Sequence, residues 1–299
     1  MRHACRTLLV LSLAGCPADS PVDTDVSDPS DADTDADSDA DADTDADADS
    51  DTDTDADTDS DAGGPDPATV ILAEDFEGTS PGGVPGGFDT FVGWVVNNGN
   101  NQLGQQTFAV VDDDRAYGGT RSLHVQGGSN PAQIATPLPA GTDRLYVRVW
   151  MYNTVQLGDV DGRNHETVIA LRTGSGTVSD EVRFGEIKGV IGTNEVPTDD
   201  ITPPYDFWYS GPVIAPNAWH CLEVAFLADQ PNHEVRAWSD GVQVHVVNDP
   251  SQWNNQVLGN TFLDGKFGEV VVGWHSFSNV DHEVWFDDLV LATEPIGCN

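Results

Sequence analysis

The residues best suited to chemistry are arginines and aromatics that alternate with aliphatics in one short segment, RLYVRVWMY at Arg144–Tyr152. A β-strand points successive side chains to opposite faces. One face carries Leu145, Val147, Val149 and Met151. The other face carries Arg144, Tyr146, Arg148, Trp150 and Tyr152. Aromatic rings stack on the apolar faces of sugars, and guanidinium groups hold carboxylates or hydroxyls in a bidentate fork, so the segment predicts a strand whose polar face binds carbohydrate.

The same residue types could cleave a uronate polymer by β-elimination. That reaction needs a cation that neutralises the C5 carboxylate, a base that removes the neighbouring proton, and an acid that protonates the leaving oxygen. The candidate catalytic residues are Arg148 or Arg183 as the cation, His165 as the base, Tyr146 or Tyr152 as the acid, and Asn194 as a second contact to the carboxylate. No catalytic consensus fixes these roles, so binding without catalysis is the first hypothesis, a polysaccharide lyase the second, and a structural surface adhesin the third.

Other candidates leave further alternatives open. Hydrolysis would need two carboxylates at a defined separation, and the pair on predicted strands is Glu166 with Glu186. The candidate ligand-binding residues are Arg144, Trp150, Arg183, Glu186, Lys188 and His275. The tryptophans also suit a core, and the strand histidines also suit structural positions with a backbone partner.

Strands must position these residues, because almost no helical period occurs after Thr69. Short alternating runs are separated there by Gly, Pro, Asn and Asp. The predicted strands are Thr69–Phe76, Thr107–Val111, Ser122–Gln126, Arg144–Tyr152, Glu166–Arg172, Glu181–Gly189, His220–Leu227, Glu234–Trp238, Val242–Val247, Gly268–Phe277 and Glu283–Ala292. This pattern predicts an all-β fold, a sandwich of two packed antiparallel sheets over residues 69–299.

One long connection, Glu195–Pro216, is rich in aromatic residues. It contains Tyr205, Phe207, Trp208 and Tyr209. A loop of this length predicts either a lid over a groove or a hydrophobic plug.

The N-terminal segment has the pattern of an export signal. Two arginines precede a short apolar run within residues 1–15, which is too short to span a bilayer as a stable helix. Leu13-Ala14-Gly15-Cys16 resembles the bacterial lipobox, in which the cysteine becomes the lipidated N-terminus. The resemblance implies export across the inner membrane of a Gram-negative bacterium and anchoring at the outer membrane or cell surface, with Pro17 after the cysteine favouring the outer membrane. The lipid would be the only contact with a membrane.

Residues 16–68 form an acidic linker. Of the 51 acids in the chain, 21 lie between Pro17 and Asp66, where there is no Lys or Arg. Like charges and the near absence of apolar surface predict a disordered spacer. The formal net charge of −39 excludes nucleic acid as a partner. The residues of Arg144–Tyr152 make polysaccharide the expected partner, and the chain is expected to be a monomer.

Two cysteines remain in the globular part once Cys5 and Cys16 are assigned to the signal and the lipid. In an oxidising compartment Cys221 and Cys298 predict a disulfide, although two buried free thiols are the alternative. A disulfide between Cys221 and Cys298 would close the loop of chain between them, and closing a loop of that length would stabilise the fold by about 4–5 kcal/mol.

Three motifs resemble the first, third and last strands of jelly-roll carbohydrate-binding modules and related enzymes. They are EDFEG from Glu74, RAYGGTRSLHV from Arg115 and WFDDLVL from Trp285. The resemblance implies one structural Ca²⁺ ion held by carboxylates and turn carbonyls. The implied ligands are Glu77, Thr120, Asp287 or Asp288, with Asp75 possible. Solvated acids at strand ends are the alternative.

The wider pattern is similar to the family of secreted, cellulose-induced jelly-roll proteins, which resemble glucuronan and alginate lyases. The similarity rests on NHETVIALR, GEIKGVIGTN, AWHCLEVAF and WFDDLVLATEPIGC and extends over about residues 70–299. It implies that the sandwich over residues 69–299 is a jelly roll whose concave sheet forms a polysaccharide groove, with a His, a Gln or Asn, an Arg and a Tyr in the lyase relatives. Here VIGTN stands where the glutamine-containing strand of alginate lyases is expected. Residues 67–299 contain 30 acids and 10 bases, an excess that repels anionic polymers at long range and favours binding over lysis.

Overall fold

The computed structural model describes residues 65–159, 165–174, 176, 178–203, 210–279 and 281–298. These residues form β-strands joined by turns, with one short 3-10 helix at Pro250–Gln252. The strands are β1 (Val70–Glu74), β2 (Asp89–Val92), β3 (Val95–Val96), β4 (Phe108–Asp112), β5 (Ser122–Gly127), β6 (Ala132–Pro137), β7 (Arg144–Asn153), β8 (His165–Arg172), β9 (Glu181–Ile187), β10 (Val190–Val196), β11 (Asp200–Thr202), β12 (Trp219–Leu227), β13 (Glu234–Ser239), β14 (Val242–Val247), β15 (Glu269–Ser276) and β16 (His282–Ala292).

The strands form two antiparallel sheets. The first sheet has the order β14-β13-β12-β7-β16-β5-β4, and β1 also pairs with β16. The second sheet has the order β11-β10-β9-β8-β15-β6-β2-β3. The predicted all-β sandwich of two antiparallel sheets is confirmed, and the chain crosses repeatedly between the sheets as a jelly roll requires.

The core lies between the two sheets. From β7 it receives Leu145, Val147, Val149 and Met151, none more than 1% exposed. From the second sheet it receives Ile134, Leu171, Phe184, Val272 and Trp274. Full burial of an aliphatic or aromatic side chain contributes about 1.5–3 kcal/mol, so this shared layer holds the sheets together and fixes which side chains of each strand face outward.

The predicted disulfide between Cys221 and Cys298 is present. It fastens the segment after β16 to β12 on the outer side of the first sheet. The Glu223 carboxylate of β12 accepts hydrogen bonds from the backbone N–H groups of Ile296 and Gly297, at 3.0 and 2.8 Å. The C-terminal segment is therefore held by both a covalent and a charged contact.

Several predictions lie outside the described residues. These are the signal over residues 1–15, the lipidated Cys16, nearly all of the linker over residues 16–68, and the loop aromatics Tyr205, Phe207, Trp208 and Tyr209. Within the part that the structure describes, no helix has the length and apolarity needed to cross a bilayer.

Candidate functional site

The predicted site residues divide between the outer faces of the two sheets. The first sheet presents Arg144, Tyr146, Arg148, Trp150 and Tyr152 from β7. The second sheet presents His165, Arg183, Asn194 and His275. The core separates these faces, so the structure does not bring Arg148, Tyr146 and Tyr152 together with His165. The single predicted catalytic set is corrected to two separate groups.

Other segments cover much of the first group. The ring of Tyr117 stacks on Trp150, with centroids 3.6 Å apart and planes 11° apart. Tyr146 is 6% exposed and packs in a small apolar cluster with Ile296. The Arg144 guanidinium is held by two carboxylates. The alternation predicted for β7 is confirmed, but its outer face is not an open groove over its whole length.

The outer face of the second sheet is polar where its inner face is apolar. On β9, Arg183 alternates with Val182 and Phe184, which lie in the core. The register places Arg183 directly opposite Asn194 of β10. We call this surface the His275 face, and it consists of Gln133, His165, Arg172, Arg183, Asn194, His275 and Phe277.

Phe277 lies at the centre of the contacts on the His275 face. Its ring centroid is 4.3 Å from that of His275 and 6.0 Å from that of His165. The Arg183 guanidinium lies 5.1 Å from the same centroid, within cation–π distance. Phe277 is 42% exposed. One partly exposed ring therefore contacts both predicted histidines and the predicted cation.

His275 is a neutral imidazole with a free acceptor atom. Burial lowers its pKa to about 3, helped by the positive charges of Arg183 and Arg172 and opposed by a hydrogen bond to the backbone of Ser129. Its Nε2 is buried and has no hydrogen-bond partner among the described residues. The bond to Ser129 therefore uses Nδ1 as the donor, which leaves the lone pair on Nε2.

Two arginines on this face share one carboxylate. Glu181 accepts a hydrogen bond from Arg172 Nε at 2.6 Å and another from Arg183 Nε. Arg172 Nη2 also donates to Gln133 Oε1 at 2.5 Å, while its Nη1 has no hydrogen-bond partner among the described residues. Arg172 and Glu181 are no more than 2% exposed. The network fixes two cations beneath the exposed rings.

Asn194 connects the arginine network to His165. Its side-chain oxygen accepts from Arg183 Nη1 at 3.3 Å, and its nitrogen donates to Asp199 Oδ1 at 3.0 Å. The same Asp199 oxygen lies 3.9 Å from His165 Nδ1. Burial lowers the pKa of His165, with Asp199 opposing the shift and Lys188 and Arg183 adding to it. His165 is thus kept neutral in a positively charged surrounding.

Glu186 does not lie on the His275 face, contrary to prediction. Strand alternation puts it on the side of Phe184, where it is fully buried and accepts from the Gly158 N–H at 2.7 Å. Its cross-strand partner Glu166 is 1% exposed. A glycan cannot reach this pair, so the hydrolase alternative loses its carboxylates. Lys188 lies in the turn between β9 and β10 rather than on a strand.

Sequence reasoning missed Trp94, which borders the His275 face. Trp94 lies in the two-residue turn between β2 and β3, is 47% exposed, and meets His275 edge to face with centroids 5.0 Å apart. The Gly93-Trp94 pair between short apolar runs was the signal that could have found it. The sequence does place Phe277 on the same strand face as His275, and it places Arg172 in a basic cluster with Arg183.

The predicted calcium ligands meet at the Gly118-Gly119 turn. A Cβ on Gly119 would lie 2.4 Å from a Glu77 oxygen, and one on Gly118 would lie 3.4 Å from an Asp288 oxygen. The Glu77 carboxylate accepts from the Thr120 N–H at 2.6 Å and the Thr120 hydroxyl at 2.9 Å. These backbone hydrogen bonds lower the pKa of Glu77. The Gly119 position requires glycine, because its φ is +63° and a Cβ would clash with the Glu77 carboxylate, whereas a Cβ on Gly118 would make an ordinary contact.

The carboxylates near this turn are oxygen ligands of the kind that a hard cation prefers, but the described residues do not arrange them as a metal site. Burial raises the pKa of Asp288, the charge of Arg148 opposes the shift, and repulsion from Asp75 and Glu77 adds to it. Burial also raises the pKa of Asp287 to about 6, and this carboxylate accepts the N–H of Tyr117 at 2.7 Å. Yet no group of three acids or histidines within the described ranges is arranged to hold a metal ion. Calcium therefore stays a prediction, and no function is derived through it.

Comparisons with known proteins agree with this architecture. The chain resembles the structure of the cellulose-induced protein Cip1 with 22% identity and a TM-score of 0.53, over 76% of this chain and all of that one. An endo-β-1,4-glucuronan lyase from the fungus Trichoderma reesei is 15% identical with a TM-score of 0.47, over 76% of this chain and 96% of that one. A comparison with curated proteins found no match. The polysaccharide lyase-like family described as "Cip1-like, core domain" matches residues 86–294, and the chain belongs to that family.

Proposed function

We propose that this chain binds polysaccharide on the His275 face. The observation that supports the proposal is the pair of exposed rings, Trp94 and Phe277, beside buried hydrogen-bonding and charged groups. Sugar rings offer apolar C–H faces to aromatic side chains and hydroxyl groups to polar ones. Ligand sites typically combine apolar walls with a few fixed polar groups.

Binding without strong catalysis is the better supported form of this function. β-Elimination needs an acid for the leaving oxygen. The tyrosines predicted for that role, Tyr146 and Tyr152, lie on the other sheet. Arg183 is engaged with Glu181 and Asn194, which limits its freedom to take a substrate carboxylate.

A glycan array probed with the full chain and with Phe277→Ala tests the proposal. We expect binding to at least one polysaccharide, weakened by the substitution because a stacking surface is lost. Val242→Ala is a matched control, since Val242 is 67% exposed on β14 of the first sheet. Indifference of the full chain to every glycan would instead support the adhesin hypothesis.

A polysaccharide lyase is the second candidate, favoured by the chemistry of His275. The neutral imidazole keeps on Nε2 the lone pair that removal of a proton requires, and Arg172 and Arg183 supply nearby positive charge. His275 is 2% exposed and its Nε2 is buried, so this chemistry requires the ring to become accessible to a uronate. Incubation with polyuronates should then release unsaturated products that absorb in the near ultraviolet, and His275→Gln should abolish them. Retention on a glycan without such products selects binding alone.

We also propose that the domain is displayed on an acidic spacer from a lipidated Cys16. The supporting observation is the lipobox-like segment before the run of aspartates. Labelling with a radioactive fatty acid in a Gram-negative host should mark the chain, and Cys16→Ser should remove the label. An unlabelled wild-type chain recovered in the membrane-free fraction contradicts the anchor.

A further inference from the structure

Aromatic residues also form a connected surface on the outer face of the first sheet. Tyr152 of β7 pairs across the ladder with Trp219 of β12, and their ring centroids are 5.7 Å apart. Tyr117 approaches Trp219 to 6.0 Å and stacks on Trp150 at 3.6 Å. The four rings therefore touch in sequence and form one continuous apolar area.

An arginine extends this area at one end. The Arg115 guanidinium lies 4.5 Å from the Tyr152 ring centroid and 4.7 Å from that of Trp285. Its side chain is 41% exposed, and Tyr117 is 45% exposed. We call Arg115, Tyr117, Trp150, Tyr152 and Trp219 the Tyr117 surface. Rings held by their neighbours lose little freedom when a ligand stacks on them, which favours binding.

An arginine with an unsatisfied hydrogen-bond donor lies beside this surface. Arg148 shares the outer face of β7 with Trp150, and its buried Nε has no hydrogen-bond partner among the described residues. The carboxylates of Asp288 and Glu223 are near enough to stabilise its charge. Arg148 lines a cavity of about 320 Å³ together with Asp75 and Asp288. A half-buried guanidinium whose Nε lacks an acceptor is costly, so the cavity favours a ligand that offers oxygen atoms.

The charges around the Tyr117 surface select against anionic ligands. Asp113 and Asp114 are exposed next to Arg115, and Asp114 lies 3.9 Å from its Nε. Glu283 lies 3.9 Å from His124, whose ring stacks on Trp285. A neutral sugar has no charge for these carboxylates to repel. Its hydroxyl groups can donate to the carboxylates and accept from Arg148.

From these observations we propose that the Tyr117 surface and the adjoining Arg148 cavity form a second binding site, for a neutral glycan. The site lies on the outer face of the first sheet, whereas the His275 face lies on the outer face of the second. The two sites therefore bind independently, and one chain can hold two polysaccharide strands. The second site does not depend on the function proposed for the His275 face.

Affinity electrophoresis of the full chain tests this proposal, with hydroxyethylcellulose, galactomannan and xyloglucan as neutral probes and polygalacturonate as the anionic probe. Tyr117→Ala and Trp219→Ala should each weaken binding to a neutral polymer about 2- to 10-fold, since each removes one stacking ring. Val242→Ala, which removes an exposed apolar side chain elsewhere on the same sheet, should leave retardation unchanged.

The outcomes separate the two sites. A second site is supported if Tyr117→Ala weakens binding to a neutral polymer both in the wild-type chain and in a chain that already carries Phe277→Ala. No binding of wild type to any neutral probe, or equal binding by wild type and Tyr117→Ala, overturns it. Phe277→Ala alone reports on the His275 face, so either site can fail without the other. Circular dichroism of each variant checks that the sandwich is intact.

Discussion

The rings of Trp94 and His275 meet edge to face, with centroids 5.0 Å apart and planes at 87°. Trp94 reaches this position from a turn in which its own φ is +68°. A bulky side chain rarely adopts this conformation, because the left-handed region suits glycine. Backbone strain at an exposed aromatic residue is typical of a functional position.

Trp94→Gly separates binding from stability. Glycine suits the turn between β2 and β3, so we expect the free energy of unfolding to stay level or to rise by up to about 1 kcal/mol. Polysaccharide binding should weaken about 2- to 10-fold because the ring is lost. Urea unfolding and affinity electrophoresis measure the two effects. A variant that is destabilised by several kcal/mol would show that Trp94 is a packing residue instead.

His275 should make the fold sensitive to acid. Its pKa in the folded chain is about 3, against an ordinary value of 6.5, so the unfolded chain binds one more proton between these values. The stability contributed by the neutral ring is present above about pH 6.5 and is lost as the pH falls towards 3, with a slope of about 1.4 kcal/mol per pH unit. His275→Gln should flatten this part of a pH series of urea melts. An unchanged slope would mean that His275 titrates normally.

Glu181 should be essential for the arginine network. Glu181→Gln leaves Arg172 and Arg183 buried without their shared carboxylate, so we expect a loss of about 3–5 kcal/mol in unfolding free energy. Glu234→Gln is the matched control, because its partner Arg236 has a side chain that is 37% exposed. That pair should contribute only about 0–1 kcal/mol. Equal effects of the two substitutions would contradict the network.

Calcium at the Gly118-Gly119 turn is tested by thermal melting. If Ca²⁺ binds there, an excess of about 100-fold over its Kd should stabilise the chain by about 3 kcal/mol, and a chelator should reverse the gain. Asp288→Asn should abolish the response while tolerating the φ of +48° at this position, since Asn adopts such angles readily. If the chain melts at the same temperature with and without Ca²⁺, these residues are solvated acids at strand ends and do not hold the ion.

Much of the fold was predictable because period-two alternation is strong. All eleven predicted strands exist, and Val242–Val247 has the predicted bounds. Of the strands that were missed, β3 has only two residues, and β2, β6, β10 and β11 lie in segments with few aliphatics or with polar residues on one face. In β10 the sequence VIGTNEV mixes core residues with Asn194, and pairing with β9 rather than local pattern decides its state.

The candidate site was predictable residue by residue but not as an arrangement. Alternation identified Arg148 as an outward-facing residue and placed His275 on a strand with two half-apolar faces. It could not say which sheet each strand joins, because that depends on long-range pairing. β7 and β8 are consecutive in the chain, yet they belong to different sheets. The residues of one predicted site therefore lie on opposite sides of the core.

Isothermal titration of the full chain with the polysaccharide that binds best on the array measures whether the His275 face holds a glycan. We expect Phe277→Ala to weaken binding about 2- to 10-fold while Val242→Ala binds as wild type does, because Phe277 is the exposed ring that contacts His165, His275 and Arg183. Wild-type affinity in Phe277→Ala would contradict the claim that the His275 face holds the glycan.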